Sequence, residues 1–194
     1  MEKDPLRIGF VTGATPDKWA RSWRTQRREA LELVPVTEAD QVLGVRDGSL
    51  DMAIVRLPVD TDDLHCVRLY DEVQVVAASR EHMIAATDVE VSTSDLVDEQ
   101  LVRPHSSGWQ PEAEQLDWPP MSEQDAIETV AAGTGIAIMP MSIARLHQRK
   151  DVVTRVVSDL EHTTIALIWL LDRDDEVTQT FVGVTKGRTA RSSR

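Results

Sequence analysis

The sequence predicts an α/β protein built around a parallel sheet with crossover helices. Three observations lead there. Short apolar runs rich in β-formers recur at Leu6–Val11, Leu31–Val36 and Asp51–Val55. Helix-patterned segments separate them, and strand, helix, strand, helix, strand is the order of parallel strands joined by crossovers. Turn residues punctuate the pattern at Thr12-Gly13, Asp47-Gly48 and Gly133.

The first run lies between Pro5 and Thr12-Gly13 and reads as a buried strand. Thr15-Pro16-Asp17 then carries helix-start chemistry: Thr15 as N-cap, Pro16 at the first helical position, Asp17 at the positive helix end. That helix is expected to reach about Ala30, with Trp19 and Trp23 on its packing stripe. Leu31–Val36 alternates, and Pro35 marks an edge strand or a strand end. Glu38–Arg46 is predicted as the second helix, stopped by Asp47-Gly48.

Further strands are expected at Val67–Tyr70, Val73–Ala78, Gln100–Arg103, Thr134–Met139, Asp151–Val157 and Thr163–Leu171. Helices are expected after Ser94 and over Gln124–Ala132, Ser142–Arg149 and Glu176–Val184. Gly133 is the stop of the first of the long pair, and Gly135 a place of close backbone approach. The Ser-, Arg- and Gly-rich end reads as a disordered tail.

Composition narrows the function. The chain has 194 residues, enough to bury a real core, and is 41% hydrophobic and 28% charged, as in soluble globular proteins. A net charge of -12 repels a phosphate backbone, so direct DNA binding is not expected. Cys66 is the one cysteine, which precludes an internal disulfide and suits a reducing compartment. No basic start leads into an apolar run, and no stretch approaches ~18 apolar residues. A cytoplasmic chain without a membrane span is the expectation.

No catalytic residue, metal or cofactor is predicted. The acidic clusters Asp60, Asp62, Asp63 and Asp172, Asp174, Asp175 have no histidine at metal-ligand spacing. Neither a Gly-x-Ser-x-Gly elbow nor a phosphate loop is present. Ligands of open α/β sheets bind outside the carboxyl ends of strands, often at helix N-termini. That rule selects Thr12, Gly13 and Thr15 after the first strand and Thr37 after the second. It also selects Arg103, His105, Ser106 and Ser107 after Gln100–Arg103, and Pro140, Met141 and Ser142 after Thr134–Met139. Hydroxyls, amide dipoles and a guanidinium suit a small anion. Each has a plainer role too: Thr15 and Ser142 as helix caps, Arg103 facing solvent or pairing with an Asp, His105 solvated in a polar loop.

Three segments in register carry a resemblance. LRIGF at 6–10, RDGSLDMAIV at 46–55 and ETVAAGTGIAIMP at 128–140 resemble the effector-binding domain of LysR-type transcriptional regulators. EHMIA at 81–85 stands where that family has His-Pro-Leu-Ala. The resemblance covers residues 6 to about 182 and implies a type-2 periplasmic-binding-protein fold: two Rossmann-like lobes joined by two crossover strands, with a ligand cleft between. Lobe one would be 1–76 plus 164–182, lobe two 77–163, and 183–194 the basic tail. Strands Val73–Ala78 and Thr163–Leu171 would be the crossovers. The family places its effector contacts at the same four loops.

No counterpart of the family's N-terminal winged helix-turn-helix precedes Leu6. A stand-alone sensor of a small anionic metabolite, or a transcription-regulation accessory, is therefore expected, as a homo-dimer or a hetero-dimer with a related regulator. The alternative is an interaction protein that hetero-dimerises with full-length regulators and keeps only a vestigial cleft. Lys18, Arg21, Arg24, Arg27 and Arg28 make the first helix basic, as a solvated face or a surface for an acidic partner.

Overall fold

Residues 4–87 and 90–187 are described by the computed structural model. In chain order the elements are β1 (Leu6–Val11), α1 (Asp17–Gln26), β2 (Leu31–Val36), α2 (Leu43–Arg46), β3 (Met52–Arg56), β4 (Leu64–Glu72), β5 (Gln74–Ser79), β6 (Glu90–Val91), α3 (Glu123–Ala131), β7 (Ala137–Pro140), α4 (Met141–Leu146), β8 (Val152–Val157), β9 (Thr163–Leu170) and α5 (Glu176–Thr185). Short 3-10 turns add Met83–Ala86, Thr93–Leu96 and Leu171–Arg173.

Two units form. One runs to Asp71 and resumes at Thr164; the other is Glu72–Thr163. The first carries a sheet of order β2-β1-β3-β9-β4, with β1 parallel to β2 and β3, and β3 antiparallel to β9. Pro35 sits on β2, at the edge, where a missing N–H costs no ladder bond. The second carries β6-β8-β5-β7, with β5 antiparallel to both β7 and β8.

Each sheet is covered on both faces. All five residues of β3 are buried, as expected of a strand with no solvent face. Ile8, Met52, Ile54, Leu167, Trp23 and Phe181 form one core of the first unit, and Val45, Leu50, Val55 and Ile168 the other. Trp23 lies 5.8 Å from the Phe181 ring, and its indole N–H donates to the Glu29 carbonyl at 2.9 Å. That partner makes burial of a polar-tipped aromatic favourable. The Trp pair on α1 therefore packs inward, Trp19 against Tyr70 at 6.4 Å. In the second unit Val75, Ile127, Val130, Met139 and Ile143 fill one face, and Val76, Leu96, Ile136 and Ile138 the other.

Several expectations need correction. α1 stops at Gln26 because Arg27 turns extended. The helix expected over Glu38–Arg46 is one turn, Leu43–Arg46. Its first half is drawn elsewhere: Gln41 exchanges two hydrogen bonds with the Arg56 backbone, and Glu38 pairs with the Arg56 guanidinium. Gln100–Arg103 is a single bridge, Leu101 to Ile136, rather than a strand. β7 begins only at Ala137, since Gly135 takes a φ of 150°. The first boundary between units falls at 71/72; a boundary at 76/77 would cut β5. Residues 183–185 continue α5 instead of opening a tail, and 188–194 lie outside the described residues.

Candidate functional site

The carboxyl end of β1 is a polar turn with exposed threonines. Val11 ends the strand, the Ala14 amide returns to the Val11 carbonyl at 3.0 Å, and Gly13 takes a φ of 88°. Only glycine adopts that conformation without a Cβ penalty. Among the described residues the Gly13 and Thr15 amides find no acceptor. Thr12 and Thr15 are exposed. Thr15 is not the N-cap: Pro16 holds that position, and no side chain caps the helix. Pro16 accepts instead from the Trp19 and Ala20 amides, both at 3.0 Å. The loop thus offers unpaired amides and two free hydroxyls at the positive end of a ten-residue helix.

Arg56 underlies this loop. It ends β3 and is only 5% exposed. One Nη2 donates to the Thr12 carbonyl at 3.1 Å, and Nη1 meets Glu38 Oε1. The guanidinium so pins the loop through its carbonyl. Sequence reasoning missed Arg56, Glu38 and Gln41. The available signal was Arg56 as the one charge in a strand otherwise wholly apolar, MAIVR. Thr37 proves to be a turn residue: its Oγ1 donates to Asp40 Oδ2 at 2.8 Å and accepts from the Asp40 amide at 3.2 Å.

The second unit disposes of its polar groups differently. Arg103 pairs with Glu123 of the α3 first turn at 2.9 Å, and its Nε donates to the Met121 carbonyl at 3.3 Å. His105 is buried, at 8% exposure, instead of solvated. Its Nδ1 meets Ser107 Oγ at 2.7 Å, and Nε2 meets Gln74 Oε1 at 3.2 Å. Gln74 donates onward to Thr163 Oγ1 at 3.4 Å. Burial holds the His105 pKa below its ordinary value, so the neutral ring is favoured. Ser106 beside it is exposed. Pro140 has no N–H, the Met141 amide is given to the Val73 carbonyl at 3.0 Å, and Ser142 is half-buried and engaged.

Thr12, Gly13 and Thr15 are therefore brought together, and Arg56 joins them. Thr37, Arg103 and His105 have local structural partners. Gly133 stops α3, as its spacing predicts, with a φ of 79°. Among the described residues no three His, Cys, Asp or Glu side chains converge as metal ligands. Cys66 lies exposed within β4, not ahead of a strand, and partial burial pushes its thiol pKa up. No helix is long and apolar enough to cross a membrane among the described residues.

Residues 2–190 match the LysR substrate binding domain family. A curated relative, a probable hydrogen peroxide-inducible genes activator of Mycobacterium avium, is 29% identical over 160 residues, which is 72% of this chain and 51% of that protein. The chain thus spans about half the length of that relative. Among solved structures, the effector binding domain of a BenM variant superposes with a TM-score of 0.77 at 20% identity, over 96% of this chain and 98% of that one. The BenM effector binding domain with its effector benzoate gives 0.76 at 20% identity, over 96% and 92%. A cysteine mutant of Corynebacterium glutamicum OxyR gives 0.73 at 20% identity, over 95% and 64%. At these identities the likeness is one of fold, the type-2 periplasmic-binding-protein-like fold expected above.

Proposed function

Because the chain belongs to the LysR substrate-binding-domain family, an effector-binding module of transcriptional regulators, we propose that it senses a small anionic metabolite in the cytoplasm as a stand-alone unit without chemistry of its own. The observation that carries this is the Thr12–Thr15 loop. It has two amides without acceptors, two exposed hydroxyls, the positive end of α1, and a buried guanidinium bracing it from β3. Amides without acceptors at a helix N-terminus attract a carboxylate or similar anion. Taken by itself, the second unit keeps Ser106 and Ser142 as its candidate contacts, with Arg103 and His105 as supports. A net charge of -12 disfavours contact between these residues and a phosphate backbone.

A thermal-shift screen of small carboxylates tests this. A ligand at a hundredfold excess over its Kd stabilises the fold by about 2.7 kcal/mol. The stabilisation should weaken in Thr15→Ala and in Arg56→Met. Silence across the acids from a folded protein would contradict the proposal.

The peroxide response named for the mycobacterial relative is not carried over. Cys66 is the one cysteine in these 194 residues, so no internal disulfide can form among them.

One observation favours a second reading, as an interaction protein that hetero-dimerises with a related regulator. Lys18, Arg21, Arg24 and Arg28 are exposed on or just after α1 and meet no carboxylate among the described residues, in a chain that is otherwise acidic. Arg27 alone of this set is paired, with Glu176 at 2.8 Å. Replacing Arg21 and Arg24 by Glu should abolish salt-sensitive association with a regulator, and leave acid binding intact.

A further inference from the structure

The second unit contains a cavity whose basic rim lies beyond the residues selected at the strand ends. It measures about 470 Å³ and lies among α3, α4, the turn after α4, and β8. That is within the range of small-molecule pockets, roughly 300–1,000 Å³. Its floor is apolar: Ile127 of α3 and Ala144 of α4 both line it and both are buried. Its rim is polar and, unusually for an acidic chain, basic. Arg145, His147, Gln148 and Thr154 line it, and none of these side chains makes a hydrogen bond or ion pair among the described residues. Arg149 also lines it, but is closed off by Asp151 in a two-pronged pair at 2.9 and 2.8 Å. The uncompensated cation is Arg145.

The cavity touches the carboxyl end of β7 at Met141, which lines it, and its basic rim lies farther along the chain. β7 and β8 both run antiparallel to β5 and so run parallel to each other. α4 starts at the carboxyl end of β7 and returns the chain to the amino end of β8. Arg145–Arg149 therefore lies toward the opposite end of the sheet from Pro140 and Ser142.

We propose that this cavity is an accessory site for a small amphipathic carboxylate, its apolar body on Ile127 and Ala144 and its anion on Arg145. A guanidinium with no competing carboxylate matches a carboxylate in two-pronged fashion, and the neighbouring amide and hydroxyl donors fit the remaining lone pairs. The buried floor rewards a ring or branched chain. Neither half alone selects the ligand; together they select one with both parts.

The test is amide and methyl NMR of the full chain titrated with benzoate, and in parallel with benzyl alcohol, which keeps the ring and lacks the charge. Benzoate should shift residues 144–149 and Thr154, with benzyl alcohol at least about tenfold weaker. Arg145→Ala should weaken benzoate there by a similar factor, and Ala144→Leu should fill the floor and remove the response. Arg56→Met should leave these shifts unchanged, which separates this site from the β1 loop. Shifts confined to residues 12–15, no shifts in 144–149 up to about 10 mM benzoate, or equal binding by Arg145→Ala would each overturn the proposal.

Discussion

At the carboxyl end of β1 the amides of Gly13 and Thr15 have no acceptor, whereas at the carboxyl end of β7 the next amide, that of Met141, is already given to Val73. The buried polar residues behind the two ends differ in the same sense. Arg56 is a buried guanidinium with Glu38 as a countercharge. His105 gives up its charge and is satisfied by Ser107 and Gln74 as a neutral ring. One unit leaves amides open above a buried ion pair; the other uses its donors to hold itself together. Sites for ligands are built where donors remain unspent, because a donor already paired must first be released.

The comparison can be broken most severely at Gly135. A Cβ there would stand 2.4 Å from the Gln100 carbonyl oxygen, in a backbone conformation that side chains rarely adopt. Gly135→Ala should cost about 3 kcal/mol. Urea unfolding followed by amide NMR should show the loss in Glu72–Thr163, with the first unit's resonances holding longer.

The next largest effect separates the two partners of the Arg56 pair. Removing Glu38 takes a countercharge from a buried cation, while removing Arg56 leaves a carboxylate that is already 49% exposed and can hydrate. Glu38→Leu is expected to cost about 2 kcal/mol, discounted for that exposure, and Arg56→Met about 1 kcal/mol. Chemical denaturation of both variants decides, and the reverse order would contradict the charged description of this end.

His105→Leu should cost about 1–2 kcal/mol, because Gln74, only 1% exposed, loses an acceptor's partner. A pH dependence accompanies it. The folded pKa lies below the ordinary imidazole value of 6.5, so below that value the unfolded chain binds more protons than the folded one. The stabilisation from the neutral ring is complete above 6.5 and is lost as pH falls toward the folded pKa. The drop in unfolding free energy over this window should be smaller in His105→Leu. The smallest effect is Thr15→Ala, within about 0.5 kcal/mol of wild type in stability, since no cap bond is lost.

Most of the strands were legible because their signal is local. An apolar run between turn residues specifies β1, β3 and β9 with little help from the rest of the chain, and Pro35 correctly placed β2 at an edge. Gly133 and Gly135 were likewise readable from position alone. What failed depended on distant partners. Helical propensity over Glu38–Arg46 lost to Arg56, some fifteen residues on, which recruits both Glu38 and Gln41. Arg103 was drawn to Glu123, beyond a proline-rich stretch with no periodic pattern. His105 looked solvated because its partner Gln74 is 31 residues away. The loops that carry the candidate site could be located from strand ends, but which of their donors stay free is decided by the fold.

The most direct test of the central claim is a double cycle of equilibrium binding. The strongest stabilising acid and its uncharged amide are each titrated calorimetrically into wild type and Arg56→Met. Removing the ligand charge or the guanidinium should each weaken binding about tenfold, and removing both should cost little more than either, since the two losses report one coupled interaction. Equal affinity for the acid and its amide, or losses that simply add, would contradict an anion held at the β1 loop over Arg56.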